Sequence, residues 1–151
     1  ASAEVTQGGS LSLGPGAAVS GSLSATGSGL AVNCAVSGTI TCQDSSQLIQ
    51  GVVASDLVLT YPVVLLRRNS SAQWVSGSGI TALTMQTASV FNKAQSLQNM
   101  IVTGLTLDAD SCTFNAPQGS VTFTTPVVLR NALQSGPLIL PANTTFQVTL
   151  P

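Results

Sequence analysis

The residues most able to bind a metal ion form an acidic run, Asp108-Ala109-Asp110-Ser111. Such a run opens the calcium loop of an EF-hand, which next needs glycine at position 113 and an acidic ligand at position 119. Those two positions hold Thr113 and Gly119. The run is therefore predicted to be a solvated turn between strands, with a looser calcium site as the alternative, and no metal ligand is assigned.

The groups needed for acid–base or nucleophilic catalysis are scarce. The chain contains no histidine, which removes the commonest general base and the usual zinc and copper ligands. The only lysine, Lys93, follows Ser89 by four residues, whereas the S-x-x-K motif needs a spacing of three. No phosphate-binding or dinucleotide fingerprint occurs. We predict a protein without catalytic activity, without a cofactor and without a small-molecule substrate.

The three cysteines offer a candidate cross-link. In a hairpin with a three-residue loop at 37–39, Cys34 would face Cys42 and the two thiols could form a disulfide. A two-residue turn would set Cys34 against Thr41 instead and would strain the bridge. Cys112 is left over, either as a small buried hydrophobe or as a link between subunits.

Two N-x-S/T sequons are candidate glycosylation sites. They begin at Asn69 and Asn143, and both lie at predicted turns. Glycans would be tolerated there if the chain is secreted. The N-terminal Ala1-Ser2-Ala3 fits both the cleavage of a leader and the removal of an initiator methionine.

The strongest compositional signal is the shortage of charge. Only 6% of the 151 residues are charged, and the net charge is −1, against about 25% charged residues in an ordinary domain. A folded monomer of this mass would expose roughly 7,000 Å², so each charge would serve about 800 Å², the area that one partner buries in a standard interface. Uncharged patches of interface size must follow, whether covered by a partner or kept wet by hydroxyl and amide groups.

These numbers also limit the partners. Nucleic-acid binding needs a basic stripe, and the four basic residues, which are scattered apart from the adjacent Arg67 and Arg68, do not make one. No apolar run reaches about 18 residues, so no membrane span is predicted. The expected partners are copies of the chain itself or other subunits of one assembly.

The elements that carry these residues are predicted to be strands. Apolar and polar residues alternate, as at Val121 to Thr124, and Gly, Pro or Asn punctuates the chain every eight to twelve residues or so, which is typical of a sandwich or barrel. From Thr87 to Met100 the apolar residues recur at three and four, which predicts one short helix. The predicted fold is all-β, an antiparallel, jelly-roll-like β-sandwich with at most this one helix.

The N-terminal region differs in composition from the rest. We assign residues 1–32 to a Gly/Ser-rich arm or edge strands and residues 33–151 to the sandwich domain. Gly-Ser-Leu-Ser occurs twice, and so does Ala-Val-Ser-Gly, at Ala18 to Gly21 and Ala35 to Gly38; these repeats are too short and too unequally spaced to establish a solenoid. The sparse apolar residues proposed to mediate assembly through this arm are Leu11, Leu13, Val19 and Leu23.

The C-terminal half carries a family resemblance, in three segments at 101–108, 119–129 and 136–150. Their sequence of strands and loops, including the Leu140 to Thr144 turn before the last strand, resembles that of viral jelly-roll coat proteins and capsid decoration proteins. The resemblance implies a β-sandwich that packs laterally into a shell and assigns no functional residue.

Two functions follow as hypotheses. The first is a structural protein that self-assembles as a coat or decoration subunit of a virus particle. The alternative is a secreted subunit of an extracellular filament or pilus, in which the N-terminal arm adds a strand to the next subunit by donor-strand exchange. Both place the protein in a virion or on an extracellular surface. A carbohydrate-binding module is disfavoured because the chain has only one Trp and one Tyr for stacking.

Overall fold

The structure is a computed structural model that describes residues 1–50, 60–75, 79–94, 99–108, 111–116, 120–129 and 144–149. These residues form 17 β-strands and no helix. The strands are β1 Ala3–Val5, β2 Ser10–Leu13, β3 Ala18–Val19, β4 Leu23–Thr26, β5 Gly29–Val32, β6 Ala35–Val36, β7 Thr39–Gln43, β8 Gln47–Gln50, β9 Thr60–Leu66, β10 Ser71–Trp74, β11 Gly79–Met85, β12 Val90–Lys93, β13 Asn99–Val102, β14 Leu105–Leu107, β15 Thr113–Asn115, β16 Ser120–Leu129 and β17 Thr144–Thr149.

The described strands pair in parallel. Paired residues lie 17 to 24 positions apart, as in Leu23 with Ile40 and Gln47 with Ser71, so the chain coils into a β-solenoid of about five turns. The chain is all-β, as its alternation predicts, but the predicted antiparallel, jelly-roll-like sandwich is wrong. Alternation reports which side of a strand is buried and carries no information about the direction of its neighbour.

Each full turn of the solenoid passes over three faces. Face 1 is the six-stranded sheet in the order β15, β12, β10, β8, β5, β2. β11 pairs with β13 through Gly79–Ile80 and with β14 through Leu83–Met85, so β11, β9 and β16 each run over two faces. Face 2 contains β13 and the first halves of these long strands. Face 3 contains β1, β4, β7 and β14, together with the second halves of the long strands, with which β7 and β14 pair. The short pair β3–β6 precedes face 3 in the first turns and contacts β9.

The core is built from columns of side chains that repeat from turn to turn. Strand alternation directs every second residue inward, and parallel register places like positions above one another. One column of face 1 is Leu11, Leu30, Leu48, Ala72, Phe91 and Phe114. One column of face 3 is Leu23, Ile40, Val64, Leu83 and Leu105. From the second turn onward these residues are at most 3% exposed.

The corner from face 3 to face 1 is lined on the inside by small hydroxyl residues. The residue that precedes each strand of face 1 is Ser46, Ser70 or Ser89 in three successive turns, and each is fully buried. Ser46 Oγ donates to the carbonyl of Ala25 at 2.9 Å. Left-handed backbone at Asp44, Ser45, Arg68, Asn69, Ala88 and Ser111 makes this bend. A short side chain fits there because the chain must turn tightly around it.

The Ala-Val-Ser-Gly repeat is a true solenoid repeat. Ala18 pairs with Ala35 and Val19 with Val36, and the Gly38 amide donates to the Gly21 carbonyl at 3.0 Å. A Cβ added at Gly38 would collide with that same carbonyl oxygen. The repeated glycine is therefore required by the close approach of two turns. The two copies of Gly-Ser-Leu-Ser, in contrast, are not paired with each other, since Leu11 pairs with Leu30 while Leu23 pairs with Ile40.

Gly38→Ala is expected to destabilise the fold by about 1–3 kcal/mol, because the two turns must separate to admit a methyl group. Gly16→Ala is the matched control, since nothing lies within 4 Å of an added Cβ there, and it should be neutral or stabilising by up to about 1 kcal/mol. Urea unfolding followed by far-UV circular dichroism measures both. Equal effects of the two substitutions would contradict the stacking of Gly21 on Gly38.

The predicted helix from Thr87 to Met100 is wrong. Its described parts are strands, β12 and β13, with residues 95–98 outside the described residues. Phe91 is fully buried while its neighbour Val90 is half-exposed on the outer side, so the two do not share the apolar face that a helix would need. The helix-like spacing arises because one strand ends and another begins within the window.

Candidate interaction surface

Four of the charged residues that the structure describes lie at one corner of the solenoid. Asp44, Arg67, Arg68 and Asp108 follow the strands of face 3, where the chain turns toward face 1. Arg68 pairs with Asp44 in two contacts, Nε–Oδ1 at 2.9 Å and a second guanidinium nitrogen to Oδ2 at 3.1 Å. Both side chains are well exposed, so the pair contributes little to stability. Glu4, on β1, is the other exposed charge among the described residues.

Face 1 has no charged side chain on its outer side. Its one charged residue, Lys93, points inward, is 1% exposed and follows Trp74 in a core column. Burial lowers the pKa of the Lys93 ammonium, because removal from water disfavours the charged form. The twelve outward positions, read strand by strand, are Ser10, Ser12, Gly29, Ala31, Gln47, Ile49, Ser71, Gln73, Val90, Asn92, Thr113 and Asn115.

These outward residues form two parallel lanes, because register is continuous across all six strands of face 1. One lane contains Ile49, Gln73, Asn92 and Asn115 in successive turns, and Asn115 Nδ2 donates to Asn92 Oδ1 at 2.8 Å. Cross-strand hydrogen bonds of this kind hold side chains in place on a sheet surface. The result is a regular, uncharged surface of amides, hydroxyls and small apolar groups.

Ile49 is the most exposed apolar side chain of this surface. It is 40% exposed and lies on the third of six strands, near the middle of the face. The strand before it presents only Gly29 and Ala31, neither longer than a methyl group. Ile49 therefore stands as a protrusion beside a hollow, and an aliphatic side chain near the centre of an interface can act as an anchor when it fills a pocket of the partner.

Face 2 offers a comparable protrusion in a different setting. Ile101 is 48% exposed and pairs with Gly79 on one side and Thr122 on the other. Asn99 Oδ1 accepts a hydrogen bond from Ser120 Oγ at 2.7 Å. Ile101 thus matches Ile49 in chemistry and exposure while lying on another face.

The residues predicted to form an assembly arm are built into the first turns of the solenoid. Leu23 is 1% exposed, and Leu11, Leu13 and Val19 pack partly buried against the core. Main-chain pairing of β2 with β5 and of β4 with β7 holds this region in the same sheets as the rest. The arm residues therefore contribute to the core, and the exposed surface that sequence reasoning missed is their outward neighbours, Ser10 and Ser12.

The three cysteines are buried, each at most 2% exposed. The hairpin expected to bring Cys34 opposite Cys42 does not form. Cys42 lies in β7, where it pairs with Ala25 of β4 on one side and with Leu66 of β9 on the other, and both of these strands run parallel to β7. Burial raises the pKa of the Cys42 thiol to about 12 and also raises that of Cys34. Cys112 Sγ lies 3.7 Å from Ser89 Oγ inside the corner, which fits its predicted alternative as a small buried hydrophobe.

The other candidate sites are dispersed. Asn69 is exposed at the charged corner, and its backbone N–H donates to the Thr87 carbonyl at 2.9 Å. Asn143 lies outside the described residues. Asp108 is half-buried and accepts a 3.4 Å hydrogen bond from Gln86 Nε2. In the part of the chain that the structure describes, no three His, Cys, Asp or Glu residues gather into a group that could hold a metal ion.

Two further findings bear on partners. Among the described residues there is no helix of the length and hydropathy needed to cross a membrane. The chain matches no protein-family model, no curated protein and no solved structure.

Proposed function

We propose that this protein is a non-catalytic structural subunit that self-assembles into a multi-copy particle, first of all a virus particle. The observation that carries the proposal is the outer side of face 1, which has twelve outward positions and no charge. Depletion of charge marks the buried centres of protein interfaces. The absence of histidine from the sequence supports a structural role over a catalytic one, because it removes the commonest general base.

The solenoid changes how such a subunit would assemble. A β-sandwich that packs laterally into a shell can meet its neighbours through the edges of its sheets, whereas a solenoid presents flat, regular faces along its side. Residues 3–32 are already paired within the chain through β1 to β5, so a rigid lateral contact is better supported than donor-strand exchange of an N-terminal arm. Placement in a virion or on an extracellular surface belongs to this proposal.

Sedimentation velocity tests self-assembly directly. Over a concentration range from about 10 µM to about 1 mM, we expect the weight-average sedimentation coefficient to rise. Raising the salt from about 0.05 M to about 0.5 M should leave that rise unchanged, because contacts between uncharged surfaces are not screened. A single monomeric species throughout the range would overturn the proposal.

A further inference from the structure

We infer that face 1 is a contact surface for a second copy of this chain, which presents the same face in return. The inference rests on the proposed self-assembly and names the surface that carries it. Its centre is the protrusion of Ile49 together with the hollow over Gly29 and Ala31.

Charge favours an identical partner. In a two-fold contact each patch meets a copy of itself, so a charged patch would bring like charges together at a cost of several kcal/mol. Face 1 avoids this cost because none of its outward residues is charged. The exposed ion pair of Arg68 and Asp44 lies at the corner, outside the contact.

Shape favours the same arrangement. A two-fold axis that runs along the strands, between β5 and β8, reverses the order of the turns and keeps each lane opposite itself. Ile49 of each copy then lies over Ala31 of the other, and Gln47 over Gly29. Ile49 of each copy therefore fills the hollow of the other copy, so that the surface is complementary to itself.

Area predicts a weak contact. About this axis four strands overlap, β2, β5, β8 and β10. With strands roughly 4.8 Å apart and about 3.3 Å per residue, the overlap covers roughly 250 Å² on each copy. A standard interface buries about 800 Å² per partner. We therefore expect association only at high protein concentration, strengthened in an assembly where many such contacts act together.

The test compares two matched substitutions, Ile49→Lys and Ile101→Lys. Each replaces an exposed isoleucine of a β-strand by a side chain that ends in an ammonium group. The isoleucines are 40% and 48% exposed, respectively. Ile49→Lys should raise the dimer dissociation constant at least about tenfold, as expected for a central anchor. Ile101→Lys should change it less than about twofold, because face 2 lies outside the contact. Circular dichroism and thermal unfolding verify that both variants fold.

Two further variants separate shape from charge. Ala31→Gln fills the hollow without adding a charge, and it should weaken association while Ser71→Gln, at the margin of the overlap, should weaken it less. Equal dimerisation of Ile49→Lys and the wild type would overturn the role of face 1, as would loss of dimerisation only in Ile101→Lys. Absence of association in the wild type would instead refute self-assembly itself.

Discussion

Replacing Phe91 by alanine is expected to lower the free energy of unfolding by about 3–5 kcal/mol. Phe91 is fully buried and stands between two other rings of face 1. Its centroid lies 5.8 Å from that of Trp74 and 5.2 Å from that of Phe114. Because the stacked turns are tied to one another by hydrogen bonds, the space left by the ring cannot close without breaking register, and the cavity remains.

Ile101→Ala is the control for the Phe91 substitution. Ile101 is about half exposed, so its truncation should change the free energy of unfolding by no more than about 0.5 kcal/mol. Urea unfolding followed by far-UV circular dichroism is the appropriate measurement, since the fluorescence of Trp74 would respond to the loss of its neighbouring ring. A loss below about 1 kcal/mol on Phe91→Ala would contradict the packing of this ring between Trp74 and Phe114.

Alkaline pH is expected to destabilise the protein through Cys42. The pKa of this thiol rises from 9.0 to about 12 on folding because burial disfavours the thiolate. A group whose pKa is higher in the folded state stabilises the fold below its unfolded pKa, and this contribution is lost as pH rises toward the folded value. Between about pH 9 and pH 12 the loss should approach roughly 1.4 kcal/mol per pH unit, or about 4 kcal/mol in total.

Cys42→Val isolates this effect. Valine suits the core position between Ala25 and Leu66 and cannot ionise. Lys93, whose pKa is lowered by burial, acts in the opposite direction and gains stability as pH rises toward its unfolded value, but it is common to both proteins. The difference between wild type and Cys42→Val should therefore grow with pH above about 9. A constant difference would show that Cys42 is not shielded from solvent.

The all-β character of this protein could be predicted from sequence outside β12 and β13, but the arrangement of its strands could not. Val121 and Phe123 are buried while Thr124 is exposed, as the alternation predicts. Punctuation by Gly, Pro or Asn is typical of a sandwich or barrel, whereas in the structure the described bends between successive faces are corners, at which the chain continues in the same rotational sense. Corners and hairpins use the same small residues, because both need tight or left-handed backbone.

The one sequence signal of a solenoid was present but short. Ala18 to Gly21 and Ala35 to Gly38 repeat because Val36 must lie under Val19 and because Gly38 must approach Gly21. The turns differ in length along the chain, from 17 residues between Leu23 and Ile40 to 24 residues between Gln47 and Ser71. Unequal turns keep the inward columns apolar without preserving a fixed period, so self-similarity fades along the chain.

The existence of an uncharged surface, but not its position, could be predicted from composition alone. The shortage of charge predicts uncharged patches, and the structure locates one on face 1 with Ile49 near its centre. Sequence could not identify Ile49, because Leu48 and Ile49 are adjacent apolar residues of one strand and only the register shows that Leu48 is the one directed inward.

A dilution series of two-dimensional amide NMR spectra tests most directly whether copies of this protein meet through face 1. Raising the concentration from about 20 µM to about 1 mM should shift and broaden the amide signals of face 1, at Ala31, Ile49 and Gln73 above all. The signals of Ile101 and Thr122 on face 2 should stay in place. Concentration-dependent changes confined to face 2 or face 3, or none at all, would contradict the claim that face 1 is where copies of this protein meet.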